Sequence, residues 1–233
     1  MTIERKFDWI AAGAIGLAFA VTLLLWQRLP DPIPIHWNAA GQPDDFAPRA
    51  VGALLLPGIA TGIYLLFELL PVIDPRGQNY SNFADTYRFL RRAFILFLVF
   101  VHGLMLYAIL LGDNLLSTWL VTAGVGFLLM LIGNYLPRVR SNWFVGIRTP
   151  WTLASDVVWR RTHRRGGQVF VAAGLLIILA SFLPSVWQVL VPLAAILAAA
   201  VTPIVYSYVA YRELDQSQEG SDVQDAPNPP QGV

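Results

Sequence analysis

Three groups of residues in the 233-residue chain have types and spacings suited to chemistry. In LPDPIPIHWNAAGQPDDFAPR, Leu29 to Arg49, His36 follows Asp31 and precedes Asp44 and Asp45. An imidazole among carboxylates is the donor set of an oxygen-and-nitrogen metal site, and equally of general acid–base work. The spacing matches no tight ligand motif, so no metal is assigned. No HExxH, Ser-His-Asp arrangement or phosphate loop accompanies it, so a catalytic centre is not expected and no cofactor is implied. The second group is PRVRSNWFVGIRTPWTLASDVVWRRTHRRGG, Pro137 to Gly167, in which seven arginines face a single acid, Asp156. Arginine's planar fork suits phosphate and carboxylate. The third group is intramembrane: Glu68, His102 and Asn134 interrupt apolar runs, and polar groups at membrane depth are candidates for function.

These groups need a membrane scaffold to position them. The chain is 56% hydrophobic and 13% charged, with mean hydropathy +0.55; soluble domains carry about 25% charged residues. It has no cysteine, which excludes disulfides, Cys-ligated zinc, iron–sulfur clusters and thiol catalysis. A membrane helix needs about 20 apolar residues. Runs of that kind occupy residues 9–27, 50–72, 93–112 and 114–137. The 46 uncharged residues from Gly166 to Tyr211 are too long for one helix, and Pro184-Ser185 divides them into 166–184 and 186–211. The expected fold is an all-α polytopic bundle of six transmembrane helices over residues 1–212, followed by an acidic, Pro-rich tail, 213–233, expected to be disordered.

Alternate connecting segments hold 14 of the 16 cations, which places both termini and the 137–166 loop in the cytoplasm and the 28–49 loop outside. Five prolines stiffen the outer loop, and Asn38 to Gly41 reads as a turn, so a small two-stranded or polyproline-like cap is expected. In the cytoplasmic loop, Ser155 is placed to cap a helix with Asp156 in its first turn. Trp159 and His163 share a face of that helix, and the surrounding arginines suit an amphipathic helix on anionic lipid. The pairs Gly58/Gly62 and Gly103/Ala108 permit close helix packing. By rise per residue, His102 sits about 15 Å from Arg92, near the midplane, and Glu68 lies close to the cytoplasmic surface. A direct relay between them is therefore not expected. Glu68 is expected to pair with Arg91 or Arg92, His102 to bond a neighbouring helix, and Asn134 to bridge helices or cap the fourth.

GNYLPRVRSNWFVGIRTPWTLASDVVWRRTHRRGG, Gly133 to Gly167, resembles the signature of the SdpI family of bacterial multi-pass membrane proteins. LPDPIPIHWNAAGQPDDF, Leu29 to Phe46, resembles a small uncharacterised domain that often precedes it. The resemblance implies immunity: protection against a secreted, membrane-active peptide toxin at the bacterial cytoplasmic membrane, with a cytoplasmic transcriptional repressor as a second partner and no direct nucleic-acid contact. His36, Trp37, Asn38 and Asp44 are then the toxin-facing candidates. Arg148, Thr149, Pro150, Trp151, Thr152, Trp159, Arg160 and Arg164 are the docking candidates. A competing reading has Arg148 capping carbonyls and Trp151 pinning the loop to the bundle. Two further readings stay open, a small-molecule or ion transporter and a membrane enzyme acting on a lipid-linked substrate at the outer face.

Overall fold

The computed structural model describes residues 7–38, 41–112 and 114–224. Six long helices run antiparallel in sequence: α1 (Trp9–Leu25), α2 (Arg49–Ile73), α3 (Ala84–Leu111), α4 (Asn114–Tyr135), α6 (Asp156–Ala180) and α7 (Ser185–Gln224). A single-turn helix, α5 (Pro150–Ala154), precedes α6, and a hairpin of β1 (Ile33–Trp37) and β2 (Pro43–Ala47) joins α1 to α2. The all-α membrane bundle expected from the apolar runs is the observed architecture. Among the described residues five helical segments are long and apolar enough to cross a bilayer: Trp9–Arg28, Arg49–Ile73, Gly77–Leu111, Trp119–Arg138 and Val186–Ser217. Leucines such as Leu17, Leu24, Leu65, Leu176 and Leu197 stand exposed along the bundle, as side chains facing lipid tails do.

The helix ends follow local chemistry. Asp8 caps α1 by accepting from Ala11 N–H at 3.3 Å. Gly112, at φ +72°, closes α3 in the left-handed conformation that glycine tolerates. Ser155 caps α6 by accepting from Val158 N–H, with Asp156 in the first turn, as the sequence predicts.

Five expectations are corrected. The arginine-bearing segment is not a separate interfacial helix: it is the first half of α6 and runs without a break into the apolar half. Gly166 and Gly167 do not interrupt it, because both are buried where neighbouring elements press on the backbone. α6 is not among the five spanning segments, since its uncharged part, 166–180, covers only about 22 Å. α3 begins at Ala84 rather than Ala93, taking Arg88, Arg91 and Arg92 into the helix. The tail is helical as far as Gln224, because extending an existing helix through Glu, Leu and Gln needs no new nucleus; residues 225–233 lie outside the described residues, as do Arg5 and Lys6.

The fifth correction concerns the glycines. At Gly58, Gly62 and Gly103 an added Cβ would meet nothing within 4 Å. The close approach lies instead between α4 and α6. A Cβ on Gly126 would sit 2.6 Å from the Gly174 carbonyl oxygen, and one on Gly133 would sit 2.7 Å from that of Gly167. Two glycine pairs, seven residues apart on antiparallel helices, bring the backbones into contact.

At the end bearing residues 74–92 and 136–165, a charge cluster ties three helices. Asp8 is fully buried and accepts from Arg91 at 2.9 Å and from Arg92 Nε at 2.9 Å, while Arg91 also pairs with Glu68 on α2. Burial alone would raise the Asp8 carboxyl, but hydrogen bonds from Arg91, Arg92 and the Ala11 amide hold it below the usual carboxylate range. The Glu68–Arg91 pairing matches expectation; Asp8 is the member the sequence reading missed.

Two variants test this packing. Gly174→Val should separate α4 from α6 and lower stability by about 1–3 kcal/mol, read as the unfolding free energy in detergent. Arg91→Leu should cost about 3–5 kcal/mol, because it leaves Asp8 buried with one partner fewer.

Candidate functional site

At one end of the bundle the hairpin folds down onto α2. A side chain on Gly52 would collide with Ile33 Cγ2, so the strand lies directly on the helix backbone. Arg49 fixes the base of the hairpin: its amide donates to Asp31 at 3.1 Å and its Nη1 to the Trp26 carbonyl at 3.3 Å. Gly41, at φ +72°, turns the chain, and its amide donates to the Asn38 carbonyl at 2.9 Å. Across the strands His36 Nδ1 lies 2.5 Å from Asp44 Oδ1, both side chains being exposed.

Beneath this roof is a cavity of about 340 Å³, walled by Ile35, Trp37, Leu55, Met105, Ala108 and Val121, with His36 at its edge. The structure thus brings the outer candidates His36, Trp37 and Asp44 to one mouth, and Asn38 bonds the Gln42 amide beside it. The four residues weighed as metal ligands do not converge. Asp31 accepts from Arg49 and Asp45 from the Phe46 amide, and among the described residues no group of three His, Asp or Glu could hold a metal.

At the opposite end, residues 139–155 form an irregular loop whose polar groups are satisfied internally. Asn142 is fully buried; its amide donates to the Arg140 and Val145 carbonyls, and its oxygen accepts from the Phe144 and Val145 amides. Asp74 accepts from Tyr80 Oη and from the Trp143 amide, both at 2.9 Å. Arg76 bonds Ser141 and donates to the Leu153 carbonyl at 2.9 Å. Thr149 and Thr152 form a capping box for α5, with Pro150 at its first turn, and Thr149 Oγ1 lies 3.0 Å from Ser207 Oγ on α7.

His163 holds this loop to α6. Its Nδ1 lies 2.8 Å from the Trp159 carbonyl oxygen, which can only accept, so Nδ1 carries the proton. Nε2 therefore accepts from the Ile147 amide at 3.0 Å. The imidazole stacks on Trp159 at 4.0 Å and is fully buried. Gly146 lies against it at φ +112°, where any Cβ would collide with Nε2. Burial pushes the imidazole down to about 4, only partly offset by the Trp159 hydrogen bond.

The docking candidates therefore divide. Trp159, Thr149 and Thr152 are buried and structural, which removes them from any docking surface. Trp151 is half-buried against Tyr208, ring centroids 5.1 Å apart, and Arg148 donates to the Trp143 carbonyl at 2.8 Å, as the pinning reading expects. Arg148, Pro150, Arg160 and Arg164 remain exposed. Among the intramembrane groups, Glu68 is spent on Arg91. His102 Nε2 lies 2.7 Å from Thr22 Oγ1 on α1; Thr22 donates to Ala18, so the imidazole donates to it. Asn134 is exposed on α4.

Known proteins share both ends. The SdpI/YfhL protein family matches residues 138–207, and a domain of unknown function, DUF1648, matches residues 13–61. The chain is 28% identical over 213 residues to "Immunity protein SdpI" of Bacillus subtilis (strain 168), covering 91% of this chain and all of that protein. The chain thus carries the SdpI/YfhL signature over residues 138–207 and is similar end to end to a protein of that name. It is a membrane protein of the bacterial cell membrane. The family match begins at Arg138, so the Asn142 and His163 networks fall inside it, while the hairpin falls inside the other. No solved structure matches the chain.

His163 sets a pH dependence. Its folded value, about 4, lies below the ordinary 6.5, so the unfolded chain binds the extra proton first. Stability is therefore full above pH 6.5 and falls as pH drops toward 4, by about 3 kcal/mol in all. The protection factor of the Ile147 amide should fall as pH approaches 4, because protonated Nε2 cannot accept.

Proposed function

We propose that this chain is an immunity protein that protects its host from a membrane-active peptide by engaging it at the hairpin end. The end-to-end match with a relative named for immunity carries this reading. The cavity supports it in detail. About 340 Å³ accommodates a side chain or short apolar segment. Its walls suit a peptide that partitions into lipid, and the exposed His36–Asp44 pair supplies a polar rim for the peptide's backbone or charged groups. We take the hairpin end as external and the arginine-rich end as cytoplasmic, because the cations concentrate at the latter. On that inner face Arg148, Arg160 and Arg164, flanked by Pro150 and Trp151, form the surface a cytoplasmic regulator would dock on.

Survival of toxin-sensitive bacteria expressing the chain, challenged with the peptide that the Bacillus relative counters, tests the reading. Expression should restore growth. Leu55→Trp, which fills the cavity from a partly exposed wall position, should reduce protection by about tenfold in the peptide dose tolerated, the equivalent of about 1.4 kcal/mol of contact. His36→Ala should weaken protection while leaving membrane insertion intact. Normal insertion with no protection by the parent chain would refute the proposal.

A further inference from the structure

A second, differently built cavity lies at the arginine-rich end, between the start of α3 and the end of α4. It measures about 600 Å³ and is lined by Phe7, Arg88, Phe89, Arg92, Tyr135 and Arg138, with Asp85 at its edge. The three guanidinium groups are held in three ways. Arg92 gives its Nε to Asp8, and Arg88 pairs with Asp85. Arg138 has no carboxylate within ion-pair reach among the described residues; its guanidinium carbon instead lies 4.7 Å from the centroid of the Tyr135 ring. That ring is stacked on Phe89 at 3.9 Å.

Three cations thus line the cavity against one carboxylate, and Asp8 behind it is already shared between Arg91 and Arg92. A cation held over an aromatic face still has its N–H donors for an anion. The planar fork is matched to phosphate oxygens. Phe7, in edge contact with Trp9 at 4.4 Å, joins the cavity to the first turn of a lipid-exposed helix. Trp9 is 78% exposed there, as an interfacial tryptophan at head-group level would be.

We infer that this cavity binds the phosphate of an anionic membrane phospholipid, with Arg138 as the principal ligand and Arg88 as the second. The lipid's glycerol end rests against Phe7 and Phe89. Arg92, committed to Asp8, supplies field rather than contact. The site is separate from the hairpin cavity and independent of the immunity reading.

Native mass spectrometry of the full chain, equilibrated with equal amounts of phosphatidylglycerol and phosphatidylcholine, tests the site. The parent should retain phosphatidylglycerol at least about fivefold over phosphatidylcholine, and Arg138→Gln should abolish about that factor. Arg88→Gln, on another helix, should do likewise and serves if Arg138→Gln does not fold. The Arg161→Gln/Arg165→Gln double variant, on exposed positions of α6 outside the cavity, should leave retention unchanged. Equal retention of the two lipids by the parent would overturn the inference. So would an equal loss in the α6 double variant, which would indicate general surface charge. Displacement of the lipid by millimolar inorganic phosphate would also overturn it, in favour of a soluble-anion site.

Discussion

The backbone contact between α4 and α6 is the constraint on which the arginine-rich end depends. Gly126 against Gly174 and Gly133 against Gly167 let two helices approach without intervening side chains, and in lipid such packing replaces the hydrophobic drive that water would supply. The closeness propagates. A Cβ on Gly167 would meet Pro137 Cδ at 3.1 Å, so the chain leaving α4 is laid directly on α6. Trp159 can then reach back to donate its indole N–H to the Val139 carbonyl at 2.9 Å. Ile147 packs over Gly166 and gives its amide to His163.

Irregular backbone beside a membrane is tolerated only where its polar groups find partners in the protein. The loop from Val139 to Ser155 meets that condition through few residues. Asn142 serves four backbone groups, Asp74 fastens the loop to the end of α2, and the Thr149/Thr152 box starts α5. Neutral His163 supplies the last acceptor. The hairpin end is organised differently: exposed pairs such as His36 with Asp44 hold an open roof over an apolar cavity. The loop at one end is fastened by bonds within the protein, while the hairpin at the other roofs an accessible concavity, a contrast that suits support by the loop and recognition beneath the hairpin.

Much of this was legible in the sequence. The apolar runs located all six long helices, five of them long and apolar enough to cross hydrocarbon. Ser155-Asp156 announced the start of α6, and the prolines with Gly41 announced a structured outer loop. The burial of His163 among arginines was less visible, although 159, 163, 166 and 167 repeat on one helical face while 160, 161, 164 and 165 repeat on the other. Which glycines pack was not readable, since glycine permits contact at every position and only the partner helix selects among them. Asp8 carried a local signal, an acid immediately before an apolar run, but its pairing with arginines more than 80 residues away is set by tertiary structure alone.

A peptide met at the hairpin cavity comes within bonding reach of the cavity wall. Photo-crosslinking measures this directly, with a photoreactive residue placed at Leu55 in the cavity wall and, separately, at Leu176, which is exposed on α6. The account predicts a covalent adduct with the toxin peptide at position 55 and none at position 176. Adducts of equal yield at both positions, or none at 55 from a protein that confers protection, would contradict it.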